Sequence, residues 1–423
     1  MKRSFPWIMA IMALLILLVS NGLTVTGLSA FDESLLDEFG WSRGALKFRD
    51  LITLLLAGVM APFVGILIDR IGPRVLVLIG CAMLAALYVA YANIQSITHV
   101  YLIHVGFAAV LVAAGLNVAV IMVSQWFVAK RGTAIGIALV GTSLGGVFVP
   151  QAVVALIGEH GWRESFLWLA VVPVALMILV ALVVRAPRAT GPQPWGADQP
   201  VDDSRAGRAA ASAALPDLGY RQALRTRTFW ALALVAMCTF YSIMAVSANL
   251  FLHMRDMEFT PQEAGNALGV MFGLGMVGKF LFGFLADLFR PKAVFLANLA
   301  IMAAGAILLA TTSPSLVWYA LVLFGLGWGG LYTMIQLLAV NAFGLSSAGK
   351  ILGTVTMCDA ITAGLGIWFT ALLYDRFGSY QLAFGIMCAL VLIAFAVATL
   401  VRNERVHMAA QREADPSAAP ATP

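Results

Sequence analysis

Charged residues are scarce in this chain: Asp, Glu, Lys and Arg make up 11% of its residues, against roughly 25% in a soluble domain. So few charges cannot cover a surface that faces water, which excludes an ordinary soluble protein. The four cysteines (Cys81, Cys238, Cys358 and Cys388) lie inside apolar runs without paired spacing. We interpret them as small hydrophobic residues rather than disulfides or metal ligands.

Recognisable catalytic patterns are also missing. The sequence contains no His-Glu-x-x-His motif, no Asp-rich pair and no Gly-rich phosphate loop, and these would mark a membrane-embedded enzyme or an ATP-driven pump. We therefore expect no catalytic residue, no bound metal and no cofactor. The net charge of +5 is better explained by loop charges that orient a membrane protein than by binding to nucleic acid.

Hydrophobic residues make up 61% of the chain. They form successive runs of about 20 residues, each long enough to cross ~30 Å of hydrocarbon as a helix. Helices satisfy every backbone polar group within the segment, whereas a β-barrel would show alternating ten-residue segments. The sequence therefore predicts an all-α polytopic membrane protein with twelve transmembrane helices.

A short charged turn occurs twice, 218 residues apart. Its first copy runs from Gly65 to Arg74 and its second from Gly283 to Lys292, with Asp, Pro and a final cation at matching places. Gly161 and Gly378 extend the repeat at an offset of 217 residues. A period of half the chain length indicates two homologous six-helix bundles.

We divide the chain into a first bundle (1–185), a linker (186–227), a second bundle (228–401) and a polar tail (402–423). Within the first bundle we expect the first span to end at about Phe31 and an acidic loop, which begins at Asp32, to follow it. The linker and the tail have no sustained apolar face, so we expect the tail and most of the linker to be disordered. With both termini in the cytoplasm, 19 Lys and Arg residues lie on the cytoplasmic side and 6 on the other. This bias predicts a multi-pass protein of the inner (plasma) membrane with cytoplasmic N- and C-termini.

Two six-span halves, a basic linker and the repeated turn together resemble the major facilitator superfamily. The family's loop signature between spans two and three is matched by Gly65, Asp69, Arg70, Gly72 and Arg74. The second copy departs from it at Leu288 and Arg290. Four further segments resemble the branch of the monocarboxylate transporters and the oxalate/formate antiporter: Phe39 to Arg43, Trp126 to Gly132, Gly161 to Arg163 and Asp375 to Tyr380.

The resemblance implies that the repeated turn gates the protein by holding the two halves together in one state. The residues assigned to this role are Gly65, Asp69, Arg70, Gly72, Arg74, Asp287, Arg290 and Lys292. A carboxylate at a helix end can also face the positive N-terminus of a neighbouring helix. The alternative is that these residues are ordinary cytoplasmic charges.

Two ionisable residues fall within spans of the second half. Lys279 lies eight residues before Asp287 and Asp359 nine residues after Lys350, which places both about 12–14 Å inside the membrane. Charge at that depth costs roughly 2.5–3.5 kcal/mol and indicates function. A structural ion pair, or a Lys279 that snorkels to the interface, is the alternative.

Lys279 matches the substrate-binding arginine of span eight in these carriers, so the resemblance implies an anion site. Asp359 falls near a lysine of the oxalate carrier in span eleven, and its opposite charge disfavours a dianion. We expect a monocarboxylate that is carried with a proton, with Asp359 as the proton-coupling residue. Protonation of Asp359 would free Lys279 for the substrate, and loss of the proton would restore the ion pair.

Other polar residues complete the predicted substrate site: Asn117, Gln336, Tyr332 and Asn249. Tyr332 is equally consistent with simple packing. We expect only neutral polar groups from the first half at the depth of Lys279. Arg49 and Asp50 lie about 30 Å from Asp69 by helical rise, where we expect a solvated pair at the outer interface.

The predicted function is secondary active transport of a small organic anion by alternating access, with proton symport, through a monomer in the lipid bilayer. An exporter of hydrophobic or drug-like compounds and an anion exchanger are the alternatives. Acidic residues in the first half at the depth of Lys279 would favour the exporter.

Overall fold

The computed structural model describes residues 4–60, 63–127, 131–185, 195, 217–344 and 348–408. The helices of the first half are α1 (Phe5–Asn21), α2 (Asp32–Phe39), α3 (Arg43–Met60), α4 (Val64–Ala92), α5 (Ile97–Ala114), α6 (Leu116–Ser124) and α7 (Arg131–Val183). Those of the second half are α8 (Tyr220–Ala223), α9 (Arg227–Asp256), α10 (Pro261–Leu288), α11 (Pro291–Ala310), α12 (Val317–Phe343), α13 (Ala348–Phe377) and α14 (Gln381–Ala398). No strand occurs in these ranges, which contain one isolated bridge between Phe127 and Trp195.

The described ranges contain ten helices long and apolar enough to cross a membrane. One of them, Thr133–Val183, has 51 residues, about 75 Å of helix, and turns back at Gly161, where φ is 75°. It therefore crosses twice. Helix α3 carries four charged side chains, which lower its hydropathy, and it supplies the twelfth crossing. The predicted twelve-helix, all-α fold is confirmed.

The first crossing differs from its predicted end. We expected an acidic loop after Phe31, but a π-helical turn (Gly22–Thr26) and a 3₁₀ turn (Gly27–Phe31) continue α1 directly into α2. Asp32, the first residue of α2, is fully buried. Lys47 and Arg49 of α3 pair with the Asp32 carboxylate, so its buried charge is compensated.

We call the end of the bundle with the turns at Gly72 and Arg290 the near end. The opposite end, with the turns at Gly40 and Gly378, is the far end. At the near end, equivalent residues of the two halves make equivalent contacts. Arg74 donates a hydrogen bond to the Ala181 carbonyl, and Lys292 donates one to the Thr399 carbonyl. Each cation thereby binds the C-terminal end of the last helix of its own half, and the two residues of each pair are 107 positions apart.

The second copy of the turn has Arg290 where the first has Gly72, and the backbone conformation explains this difference. Gly72 has φ 77°, a left-handed conformation that side chains disfavour. Its counterpart Arg290 has φ −62°, which any residue adopts. The second turn follows a different backbone path, so the departure from the signature at this position causes no strain.

The described ends of the linker bind equivalent places in the two halves. The Trp195 N–H donates to the Trp126 carbonyl at 2.8 Å, and the Leu218 N–H donates to the Phe343 carbonyl at 2.9 Å. Trp126 and Phe343 are 217 residues apart, the offset of the repeat. Residues 186–194, 196–216 and 409–423, which we expected to be disordered, lie outside the described residues.

The start of the polar tail is ordered, contrary to our expectation for residues 402–408. Residues 404–408 are helical and Glu404 and Arg405 are buried. Glu404 accepts hydrogen bonds from Thr228 at 2.5 Å and from Arg402 at 3.0 Å. Burial alone would raise the pKa of Glu404, but these hydrogen bonds hold it below its usual value.

Candidate binding cavity

A cavity of about 450 Å³ lies between the two halves. Helices α1, α3, α6 and α7 of the first half and α9, α10, α12 and α13 of the second line it. Its walls are largely apolar and include five aromatic rings: Phe240, Phe272, Phe280, Trp328 and Tyr332. A cavity of this size and character suits a small organic ligand.

Lys279 of α10 lines this cavity. Its ammonium donates to Ser143 Oγ of α7, in the opposite half, at 2.9 Å. Within the described part of the chain, no carboxylate lies within ion-pair distance of Lys279. A cation without a counter-ion in an apolar wall provides a place for an anionic ligand.

Tyr332 connects the cavity with a side pocket of about 30 Å³. Asp359 and Gln336 line the side pocket and not the main cavity. Asp359 is 7% exposed. The structure therefore brings Tyr332, Gln336 and Asp359 together and places them beside the chamber that Lys279 lines.

Lys279 and Asp359 form no ion pair in this conformation, since neither has a partner of opposite charge within 4.0 Å among the described residues. The direct pairing that we expected is therefore absent here. Residue spacing along the helices predicted the depth of each residue, but it could not predict that the two would face different pockets.

Two other predicted residues lie outside the cavity wall. Asn249 is fully buried and donates to the carbonyls of Ala245 at 2.9 Å and Ile367 at 3.3 Å, so it joins α9 to α13. Asn117 is exposed and lies outside both pockets. Polar lining instead comes from residues such as Asn21, Thr24, Thr26, Thr53 and Thr142.

The first half contributes a charge cluster that we define as Asp32, Lys47, Arg49, Asp50 and His104. Apart from Asp50, whose side chain is 12% exposed, its members are almost fully buried. Lys47 and Arg49 both pair with Asp32. Our expectation of a solvated Arg49–Asp50 pair is wrong. Helix α1 continues into α2, which places Asp32 against Lys47 and Arg49, and Arg49 is fully buried.

Asp50 also lines the cavity. Our expectation that the first half supplies only neutral groups there is therefore wrong as well. The sequence did contain a signal: an 18-residue helix with Lys47, Arg49 and Asp50 in its first half is costly to insert unless its charges are paired.

At the far end, two ion pairs and one set of hydrogen bonds to a carboxylate join the two halves. Arg43 forms a bidentate pair with Asp256 at 2.6 and 2.7 Å. Arg255 pairs with Glu33 at 2.8 Å. Asp375 accepts from the backbone N–H groups of Arg43 and Gly44 at 2.9 and 2.6 Å.

We call these three contacts the far-end seam. Lys47 adds a hydrogen bond from the charge cluster to the Ala248 carbonyl of the second half.

At the near end, the described residues contain no ion pair between the halves. Arg70 and Arg290 are exposed, and Arg74 and Lys292 bind within their own halves. Gly65 lies in α4, and the side chains of Asp69 and Asp287 lie outside the described part. Among the residues that the structure describes, ion pairs between the halves therefore occur at the far end and not at the near end.

Comparison with known proteins agrees with this architecture. The chain is 23% identical to an oxalate:formate antiporter of Oxalobacter formigenes, over 93% of this chain and 91% of that protein. It is 24% identical to monocarboxylate transporter 4 of Rattus norvegicus, over 88% of this chain and 78% of that protein.

A solved structure shares the fold with a TM-score of 0.73 and 18% identity, covering 96% of this chain and 98% of that one. It is a bacterial homolog of the human lysosomal transporter Spinster, in an inward-facing and unoccupied conformation. The family model of the Major Facilitator Superfamily matches residues 12–367 and 251–423. The chain belongs to the Major Facilitator Superfamily.

Proposed function

We propose that this protein carries a small organic anion, a monocarboxylate, across the inner membrane by alternating access, together with a proton. The observation that supports this proposal is Lys279, a cation without a carboxylate partner in the wall of the cavity between the halves. The names of the antiporter and the monocarboxylate transporter are consistent with an anionic cargo.

The conformation of the molecule supports alternating access. The far-end seam closes one side of the cavity, and the near end has no equivalent ion pairs among the described residues. Rocking of the halves would break the far-end seam and open that side. The excess of Lys and Arg at the near end supports a cytoplasmic location for it and for both termini.

Asp359 remains our candidate for proton coupling in the second half. Its carboxyl group lies in the side pocket that shares Tyr332 with the main cavity. A proton there would act on the anion through Tyr332 and Gln336 rather than through a direct pair with Lys279. We further propose that the protein functions as a monomer.

Uptake of labelled acetate, lactate and pyruvate into proteoliposomes, with and without an inward proton gradient, tests the proposal. Lys279→Ala should weaken uptake by about 10- to 100-fold, because a hydrogen bond to a charged group contributes roughly 1.5–3 kcal/mol. Lys279→Arg keeps the charge and is the matched control. Uptake that is indifferent to Lys279, or no uptake of any monocarboxylate, would overturn the proposal.

One observation favours a second candidate, an exporter of hydrophobic compounds. The cavity wall carries five aromatic rings and the carboxylate of Asp50, and an acidic group in the first half was the feature we expected of such an exporter. Two cations accompany Asp50 in the charge cluster, however, so the cluster has no net negative charge. Efflux of lipophilic dyes from the same proteoliposomes would support this alternative.

A further inference from the structure

The carboxylate in the main cavity belongs to Asp50, and no other Asp or Glu is among the described residues of that wall. It lies in α3, and its charge cluster extends behind it into the first half. Asp359 is outside this wall and lines the side pocket. The two buried acids are therefore in separate surroundings.

The contacts of Asp50 are longer than those of Asp32. Arg49 and Lys47 both pair closely with Asp32, whereas Asp50 lies 3.5 Å from Arg49 Nε and 3.8 Å from Lys47 Nζ. His104 Nδ1 is 4.0 Å from Asp50 and 2.8 Å from Thr53 Oγ1. Asp32 thus has the strong contacts, and Asp50 is the carboxylate with both weaker contacts and access to the cavity.

The titratable groups that face Asp50 come from several elements: Asp32 of α2, Lys47 and Arg49 of α3, Tyr91 of α4, His104 of α5, and Lys279 in the wall formed by α10. Helices α9 and α13 of the second half contribute no charged residue to the described cavity wall. The two cations and two carboxylates of the cluster balance when Asp50 is ionised. A proton on Asp50 leaves the cluster with one positive charge.

From this arrangement we infer that Asp50 is a proton-binding residue of the cavity and couples proton binding to anion binding. This inference rests on the proposed anion transport. Protonation changes the charge around the cavity from +1, due to Lys279, to +2. An anion in the cavity therefore favours the protonated state, and the proton favours the anion by the same factor.

An experiment without substrate tests the site itself. Infrared difference spectra of the full-length protein in nanodiscs, recorded between low and high pH, should contain a carboxylic acid C=O band that disappears in Asp50→Asn. Asp359→Asn is the matched control, because it makes the same substitution in the side pocket, and the Asp50 band should persist in it. A spectrum unchanged by Asp50→Asn would overturn the inference, whether or not anions are transported.

A binding experiment tests the coupling. Lactate binding to the wild type, followed by tryptophan fluorescence, should weaken by about tenfold from low to high pH, a typical size for coupled sites. Asn mimics the protonated carboxyl, so Asp50→Asn should bind lactate tightly at both pH values. Asp50→Glu should restore the pH dependence, and it guards against a general folding defect.

The outcomes separate the two proposals. If lactate binding by Asp50→Asn keeps the pH dependence of the wild type, the coupling role of Asp50 is overturned while anion transport stands. If no monocarboxylate binds and Lys279→Ala has no effect, the proposed function fails, whereas the infrared band still reports whether Asp50 binds a proton.

Discussion

The first half of the chain holds its buried charges in one paired cluster, whereas the second half keeps Lys279 and Asp359 apart. In the cluster, Asp32 pairs with both Lys47 and Arg49. In the second half, Lys279 donates to a serine hydroxyl and Asp359 lines a separate pocket. The scaffold contacts at the near end are nevertheless the same in both halves.

This comparison indicates how a duplicated fold acquires a function. Repeated contacts such as Arg74 to Ala181 and Lys292 to Thr399 join equivalent segments of each bundle. The buried charges follow no repeat, because Lys279 and Asp359 correspond to Ala61 and Thr142 in the first half. The halves therefore differ in the buried charges around the cavity.

The largest effect should come from breaking the charge cluster. Arg49→Met leaves Asp32 buried with one cation fewer, and loss of one partner of a buried ion pair costs about 3–5 kcal/mol. We expect a clear fall in Tm, measured by tryptophan fluorescence in detergent. Asp359→Asn is the control from the second half, and because it removes a buried charge without an ionic partner, it should maintain or raise Tm. Equal destabilisation by both variants would contradict the distinction between the halves.

A smaller effect is expected from the far-end seam. Arg43→Gln removes the bidentate pair with Asp256, and each hydrogen bond between charged groups contributes roughly 1.5–3 kcal/mol. The equilibrium should then shift toward a state open at the far end. The labelling site is Ser247→Cys, in the cavity wall of a protein without its native cysteines. With Arg43→Gln added, this cysteine should react about tenfold faster with an impermeant thiol reagent from the far side than it does without that substitution.

The control for this variant is Arg163→Gln. Arg163 pairs with Glu38 at 2.6 Å at the same end, but both residues belong to the first half. Breaking that pair should leave the labelling rate of Ser247→Cys unchanged. Faster labelling in both variants would mean that general loosening, rather than the contact between halves, controls access.

Hydropathy and the repeat predicted the number of crossings and the two bundles. Runs of about 20 apolar residues cross a membrane as helices, because a helix satisfies its own backbone polar groups. The depth of Lys279 followed from its distance to the turn. Which pocket a side chain faces depends on helix rotation and on neighbouring helices, so the separation of Asp359 from Lys279 could not be predicted. Asn249 is a similar case, since it binds the backbone of α13.

The cluster was missed for a different reason. The distance of Arg49 and Asp50 to Asp69 by helical rise predicts a position at the outer interface. Separately, the sequence predicts that the first span ends at about Phe31. The π-helical and 3₁₀ turns that extend it to Phe39 have no clear signature in the sequence. Burial of Arg49 depends on that extension, so an error of eight residues in one boundary hid a group of charges beside the cavity.

The smallest effect tests the scaffold. At the repeated turn, Gly72→Ala should destabilise the protein by about 1–2 kcal/mol, because a side chain disfavours the left-handed backbone at φ 77°. Arg290→Ala at the matching position should be close to neutral, since φ there is −62°. Tm values of the two variants in detergent measure the difference. An equal fall in both would show that the turns depend on their side chains and not on backbone conformation, and the two halves would then differ less at this turn than the structure indicates.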